Sequence, residues 1–331
     1  MPWRKSKDPY KVWLSEIILQ QTRVDQGTPY YLKFVETYPT IADLANAEET
    51  EVLRLWQGLG YYSRARNLHA TAKFVANTLR GVFPKTYLEI VKLKGVGPYT
   101  AAAIASICFN EPKPVVDGNV FRFASRYFGI AEDIGKQKTR TIFENVLSKY
   151  ISHTSPGNFN QAMMEYGSKV CTPSPDCSQC GFNLDCIAMQ KNLQDQLPVK
   201  TKKTNVRDRF LHYLVFNDGS HFLMRQRNKS DVWAHLYDFN LIEGDMDRDE
   251  VFENAKKLIN HDFVIEEESE VFQHLLSHQK IKAVFYRITL NTEQIKKVKS
   301  PFGKPYSVEE IVNLPKPKLI VNYLEKIGIK S

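Results

Sequence analysis

Apolar residues first recur at helical spacing just after Asp8-Pro9, where Val12, Trp13, Leu14, Ile17 and Ile18 supply one apolar face. Asp is a capping residue and Pro fits a first helical turn, so a helix starts there. The same texture predicts helices over 30–38, 48–56, 62–80, 86–92, 99–109, 118–128, 138–150 and 158–170. Gly and Pro punctuate them at Gly58, Gly81-Val82-Phe83-Pro84 and Gly95-Val96-Gly97-Pro98. Residues 191–208 break the pattern. Leu197-Pro198-Val199-Lys200-Thr201-Lys202-Lys203-Thr204 is polar, basic and Pro-marked, the character of a linker. Beyond it the pattern turns to strands over 209–217, 221–226, 236–242, 271–276 and 281–290, with helices over 248–260 and 307–325. The expected architecture is multidomain: a mostly α region over 1–190, a linker over 191–208 and a small α+β domain over 209–331.

Composition is that of an ordinary globular chain, with 43% hydrophobic and 25% charged residues in 331, which excludes a disordered or fibrous class. The net charge of +8 favours a polyanionic partner, because basic surface releases counterions from nucleic acid; a basic protein without such a partner is the bland alternative. No apolar run is long enough to span a bilayer, and Met1-Pro2-Trp3-Arg4 carries no apolar signal segment. A monomeric cytoplasmic enzyme, at the nucleoid in a bacterium, is the expectation.

Four of the five cysteines crowd into Cys171-x5-Cys177-x2-Cys180-x5-Cys186, which reads as metal or cluster ligation rather than a disulfide framework. Four thiolates in one loop can surround a [4Fe–4S] cluster or a tetrahedral zinc, and the compact, uneven spacing suits the cluster better. Cys108, in an alanine-rich stretch, reads as a buried thiol. Leu93-Lys94-Gly95-Val96-Gly97-Pro98 places a Gly-x-Gly turn between two helices, where backbone can approach a phosphate and the next helix points its amides at it. Most such turns merely connect elements.

Two carboxylates complete the set. Glu16 lies among apolar neighbours in Leu14-Ser15-Glu16-Ile17-Ile18, a setting that raises a pKa and keeps a proton for donation. Asp117 lies in Val115-Val116-Asp117-Gly118-Asn119, where it could equally be a helix cap. Glu16 could equally be a solvated helix carboxylate.

Taken together, Ser15-Glu16-Ile17-Ile18-Leu19-Gln20-Gln21-Thr22, the Gly95/Gly97 hairpin, Val116-Asp117-Gly118-Asn119 and the cysteine loop resemble the adenine DNA glycosylases of the endonuclease III, or helix–hairpin–helix, superfamily. The resemblance runs from about residue 3 to 190, with a further match in the C-terminal domain. It implies a helix–hairpin–helix glycosylase domain with an iron–sulfur loop, followed by an α+β Nudix-like domain. It implies base flipping from double-stranded DNA carrying adenine opposite 8-oxoguanine or guanine. It implies Glu16 as the acid that protonates adenine N7, Asp117 as the carboxylate that stabilises an oxocarbenium-like sugar, and Tyr99 and Asn119 as hydrogen-bonding support. Gln21 matches a residue wedged into the duplex, Tyr61 an aromatic stacked beside the lesion, and Trp3 and Arg4 the edge of the adenine pocket. Leu276, Ser277 and His278 resemble the loop that reads 8-oxoguanine. Taken alone, Tyr61 would be a core aromatic, Gln21 a solvated helix residue and the 276–278 loop a β-turn.

The chain departs from the family in three places. The first cysteine gap holds five residues where the family usually has six, Leu276 stands where Phe is common, and the chain begins almost at Pro2-Trp3-Arg4, ahead of which the family usually carries a helix. No Nudix hydrolase signature is present. One rival is a bifunctional endonuclease III-type glycosylase/lyase for oxidised pyrimidines, whose Schiff-base lysine would fall at Tyr99. A second is a non-catalytic iron–sulfur DNA-binding module, against which the retention of Glu16 and Asp117 argues.

Overall fold

The computed structural model describes residues 1–201, 206–228, 231–258, 263–276, 278–291, 294–295 and 303–330. They form two compact units: Met1–Asn46 with Asn67–Lys203, and Ala47–Arg66 with Thr204–Ser331. The division cuts across the helical region, because residues 47–66 pack with the C-terminal unit. No helix among the described residues is long and apolar enough to cross a membrane.

The first unit contains α1 (Pro9–Leu19), α2 (Val24–Thr37), α3 (Ile41–Asn46), most of α5 (Tyr62–Lys73), α6 (Tyr87–Ile90), α7 (Pro98–Phe109), α8 (Gly118–Phe128), α9 (Gln137–Leu147), α10 (Pro156–Lys169) and α11 (Ile187–Lys191). The cap expected of Asp8 forms, its carboxylate accepting from Tyr10 N at 2.9 Å. Helix α7 is the central element: every residue from Thr100 to Ser106 is buried, the signature of a helix surrounded by others. Helices α1 and α10 pack on it, and α10 also packs on α8. That last approach needs Gly167, where a Cβ would stand 2.5 Å from Asn119 O.

The segment read as a linker is tied down before it leaves this unit. Arg126 donates to Leu197 O at 3.0 Å, Ile134 N–H to Val199 O at 2.9 Å and Thr201 N–H to Asp133 at 3.3 Å. Its polar composition hid these anchors, which are backbone bonds that side-chain pattern does not record.

The second unit contains α4 (Glu49–Leu55) and an eight-stranded sheet with β1 (Arg207–Asn217), β2 (His221–Gln226), β3 (Tyr237–Asp238), β4 (Asn240–Glu243), β5 (Ile265–Glu268), β6 (Phe272–Leu276), β7 (Gln279–Thr289) and β8 (Lys304–Ser307). Strands β1 and β7 run parallel at the centre, in register from Arg207 opposite Gln279 to Asn217 opposite Thr289. Helix α12 (Arg248–Leu258) covers one face, where Val251 and Ala255 meet Leu214, Phe216, Tyr286 and Ile288. On the other face Tyr323, from α14 (Lys318–Lys326), stacks on Phe285 at 4.0 Å, and Phe285 stacks on Tyr213 at 4.9 Å. The alternation Tyr213/Leu214 and Phe285/Tyr286 sends one residue to each face, the period-two logic of strands buried on both sides.

The helix expected over 307–325 is two helices, α13 (Val308–Asn313) and α14, because Pro315 and Pro317 lie between them. The strand expected over 236–242 divides likewise: β3 pairs with β2 and β4 with β1. Helix α3 and the short polar strands β5 and β8 were not legible in the pattern.

Candidate active site

Glu16, Asp117, Tyr99, Asn119, Trp3 and Arg4 line one cavity of about 290 Å³ in the first unit. Helix α1 brings Glu16, the start of α7 brings Tyr99, and the cap of α8 brings Asp117. Burial pushes the Glu16 carboxyl up to about 7; a hydrogen bond from the Tyr99 hydroxyl pulls it down, and the Asp117 charge pushes it up again. The Tyr99 phenol is driven well above its ordinary range by burial, with both carboxylates adding to it.

Asp117 is both a helix cap and a cavity wall. Its Oδ1 accepts from Val120 N at 2.7 Å and its Oδ2 from Asn119 Nδ2 at 3.1 Å. The cap and the site readings are therefore one arrangement. The stretch leading to Asp117 is pinned from two helices: buried Asn160 on α10 accepts from Val115 N at 3.0 Å, and Arg140 on α9 donates to Val116 O at 2.7 Å. Trp3 is buried edge-on against Tyr31, ring centroids 5.2 Å apart, and Arg4 forms an ion pair with Glu165.

Gln161, Glu165 and Lys169 also line the cavity and were missed in the sequence. Their spacing of four along α10 places them on one helical face, which is the signal that could have found them. A second omission is Arg122, one turn after Asn119. Its Nη2 donates to Asn119 Oδ1 at 3.0 Å and its Nε to Cys171 O at 2.7 Å, so a hydrogen-bonded path runs from Asp117 to the cysteine loop.

In that loop the thiols of Cys171, Cys177, Cys180 and Cys186 are all free and half-buried. Burial pushes the Cys177 thiol up, and the Cys180, Cys171 and Cys186 thiols add to the shift. Polar groups meet the other sulfurs: Arg126 Nη1 lies 3.4 Å from Cys171 Sγ, the Tyr166 hydroxyl 3.1 Å from Cys180 Sγ, and Cys186 Sγ donates to Arg126 O at 3.5 Å. Phe182, between the third and fourth cysteines, packs against Tyr166, Tyr127 and Phe123. Among the described residues no group of three or more His, Cys, Asp or Glu side chains is placed to hold a metal ion. Cys108 lies apart, half-buried, its thiol pushed up to about 12 by burial.

The hairpin forms as expected between α6 and α7. Gly95 has φ +78°, and a Cβ there would stand 2.7 Å from Asn67 Cβ, so the tight turn against α5 requires glycine. Gly97 caps α7, with Pro98 in its first turn and open space beside its Cα. Gln21, exposed just past α1, has φ +54°, a conformation that costs a non-glycine residue.

The second unit holds its own cavity of about 500 Å³, whose lining includes Tyr61, Leu276 and His278 as well as Trp233, His274 and Lys318. Three residues singled out in the sequence, from segments more than two hundred apart, thus meet; Ser277 lies outside the described residues. Tyr61 has φ +47° in a turn with Gly58 and Gly60 also at positive φ. Arg64 braces that turn, donating to Leu59 O at 3.1 Å while stacking over the Trp56 and Tyr61 rings. Segment 47–66 is stitched to this unit by Arg66 donating to Ala234 O at 2.8 Å and by the Tyr62 hydroxyl donating to Lys316 O at 3.1 Å.

Residues 14–149 match the family model of the HhH-GPD superfamily base excision DNA repair proteins, and residues 212–326 match the NUDIX domain model. The adenine DNA glycosylase of Buchnera aphidicola subsp. Acyrthosiphon pisum (strain APS) is 33% identical over 240 residues, 72% of this chain and 69% of the relative. The human adenine DNA glycosylase is 42% identical over 207 residues, 60% of this chain and 38% of its own length. Among solved structures, a thermostable thymine-DNA glycosylase superposes with a TM-score of 0.54 at 28% identity, covering 58% of this chain and 88% of that one. A non-covalent endonuclease III–DNA complex, at 23% identity and a TM-score of 0.50 over 56% of this chain and 86% of that one, shares the fold. With both domain models matched in order and the Buchnera relatives aligned along more than two thirds of their length, this chain belongs to the adenine DNA glycosylase family of the HhH-GPD superfamily.

Proposed function

We propose that this protein is a monofunctional adenine DNA glycosylase that hydrolyses the N-glycosidic bond of adenine paired with 8-oxoguanine or guanine. The observation that carries this reading is the meeting of Glu16 and Asp117 in one cavity, with the Glu16 carboxyl held near neutrality. A carboxyl with a pKa of about 7 still holds a proton at working pH and can hand it to N7 of a flipped adenine. Protonation makes the base a leaving group, and the sugar it leaves gains positive charge. Asp117, fixed by Val120 and Asn119, offers that cation a preorganised carboxylate before water attacks. Tyr99 and Asn119 orient the two acids, and Trp3 and Arg4 bound the base. Gln21 is the residue wedged into the duplex, Tyr61 stacks beside the lesion, and the backbone at Gly95 and Gly97 meets a phosphate.

In this reading residues 1–190 carry the chemistry, and residues 209–331 read the opposite base through Leu276, Ser277 and His278. A [4Fe–4S] cluster would be held by Cys171, Cys177, Cys180 and Cys186. The support is the spacing of four cysteines in one loop, none of them in a disulfide. When bound, the cluster would cross-link the loop. Position 99 bears a phenol, which cannot form the Schiff base of a lyase.

The test is incubation with duplexes carrying adenine opposite 8-oxoguanine, guanine or thymine, with release of free adenine assayed before and after alkali. Strand breaks only after alkali, and fastest release opposite 8-oxoguanine, are expected. Breaks without alkali, or no adenine release, would overturn the reading.

A further inference from the structure

Asp117 is delivered by a stretch without regular backbone pairing. Residues 110–117, between α7 and α8, form neither helix nor strand, and Pro112 and Pro114 have no N–H to offer. Pro114, Val115 and Val116 are nevertheless buried, so their backbone groups need partners from elsewhere. Two side chains supply them.

Asn160, on α10, is 2% exposed and uses its whole amide here. Its Oδ1 accepts from Val115 N at 3.0 Å, and its Nδ2 donates to Lys113 O and to Ser106 Oγ, on α7, both at 2.9 Å. It thus fixes two successive peptide planes, one on each side of Pro114. Arg140, on α9, fixes a third by donating to Val116 O at 2.7 Å. That plane also contains the nitrogen and Cα of Asp117. The same guanidinium lies 5.4 Å from the ring centroid of Phe121, in the first turn of α8. Arg140 therefore holds the chain both before and after Asp117.

Val120 and Asn119 hold the Asp117 carboxylate relative to α8. Asn160 and Arg140 hold the entry to α8 relative to α7, α9 and α10. The second relation reaches the cavity walls, because α7 also carries Tyr99 and α10 also carries Gln161 and Glu165.

We infer that Arg140 and Asn160 are positioning residues that set where Asp117 stands against the sugar. The inference rests on the function proposed above. Neither residue touches the reacting atoms; the two act through the backbone. A carboxylate displaced by about 1 Å keeps its charge, yet such a displacement can cost about 10²-fold in rate.

The experiment compares the affinity of full-length parent and variants for two duplexes, each with 8-oxoguanine opposite an abasic analogue. One analogue is a neutral tetrahydrofuran and the other a pyrrolidine, cationic at neutral pH. Their affinity ratio reads how well Asp117 faces a cation, whereas partial unfolding lowers both affinities alike. Arg140→Met keeps an apolar stem beside Phe121 and removes the donor. It should lower the preference for pyrrolidine about tenfold and single-turnover adenine release by about 10–100-fold, with tetrahydrofuran affinity unchanged. Arg140→Lys keeps one donor and should recover most of both. Asn160→Ala should shift the ratio in the same direction, and it carries the test if Arg140→Met does not fold. Adenine release by the parent, measured alongside, judges the proposed activity separately. A parent that releases none, but whose pyrrolidine preference falls in Arg140→Met, would remove the activity and keep the clamp. Plain removal of a positive charge would instead raise pyrrolidine affinity. That rise, an unchanged ratio in folded variants, or a parent without the preference overturns the inference.

Discussion

The Asn119 side chain donates to Asp117 Oδ2 at 3.1 Å while its own carbonyl oxygen accepts from Arg122 at 3.0 Å. The carboxylate proposed to face the developing sugar cation is thus held by a neighbour that is itself held. Preorganisation of this kind is where electrostatic stabilisation is largest, because nothing has to reorganise as charge develops.

Asp117→Asn therefore separates two roles. An asparagine still caps α8 through its carbonyl oxygen, so folding should change by no more than ~1 kcal/mol, the scale of one lost hydrogen bond. Adenine excision should fall by about 10²–10³-fold or more, because the charge is gone. Single-turnover kinetics beside thermal melting measures both. A large loss of stability with near-normal excision would reduce Asp117 to a cap.

Glu16 gives a prediction in pH. Its folded pKa is raised from 4.5 to about 7, so between those values the folded state binds more protons than the unfolded chain. Stability from this group is fully present below 4.5 and is lost as pH rises through 7. Glu16→Gln cannot ionise, so it should be more stable than the parent at pH 8, by up to about 3 kcal/mol, with the difference vanishing near pH 4.5. The same variant should release no adenine while still binding duplex, and the parent's excision rate should fall above pH 7. Denaturant melts at the two pH values check the first statement; equal stability gains at both would show that Glu16 does not titrate as described.

Much of this site was legible because its residues sit at positions where local chemistry is unusual. Glu16 is a carboxylate in an apolar helix, Asp117 opens a helix, Gly95 fills a left-handed turn, and the four cysteines share one loop. What was not legible depends on chain crossings. The stretches 48–56 and 62–80 read as two more helices of the α region, yet Arg66 and Tyr62 bond to carbonyls of Ala234 and Lys316. Backbone acceptors carry no sequence identity, so no pattern could announce them. Lys316 is a similar case. It lies within the helix expected over 307–325, at the break between α13 and α14, and is fully buried with its ammonium donating to Leu314 O at 2.8 Å.

The cysteine loop predicts metal content. Purified protein should be brown and carry about four irons per chain, as ligation of a cluster by four thiolates requires. Arg126 should matter to this although it is no ligand. It reaches Leu197 O at 3.0 Å, Thr172 O at 2.6 Å and Pro173 O at 3.0 Å, and it stands 3.4 Å from Cys171 Sγ. Arg126→Met would leave three carbonyls without their donor, at roughly 1–3 kcal/mol each where no water replaces it. Iron content and melting temperature should fall together in that variant. Stoichiometric zinc without iron in the parent, purified with and without oxygen, would overturn the cluster.

The last prediction concerns the opposite base. Tyr61, Leu276 and His278 line one cavity of about 500 Å³ whose walls also include Trp233 and His274, rings 5.8 Å apart. Burial pushes His274 below the ordinary histidine range, so at neutral pH it is an uncharged donor and acceptor beside an aromatic wall. An oxidised guanine differs from guanine by one carbonyl and one N–H. A polar edge built for those groups penalises plain guanine, because the protein's own donors and acceptors then go unpaired. Changing Ser277 and His278 together to Ala should therefore narrow the preference for adenine opposite 8-oxoguanine over adenine opposite guanine by about tenfold or more, the worth of one such contact. The single-turnover rate on saturating substrate should move far less, since Glu16 and Asp117 line a cavity of the other unit. Leu276→Phe restores the residue common at this position and should strengthen binding without changing the preference, because a larger ring adds stacking but no hydrogen bond. A double variant that folds, by circular dichroism, and keeps the parent's preference would return this loop to an ordinary turn.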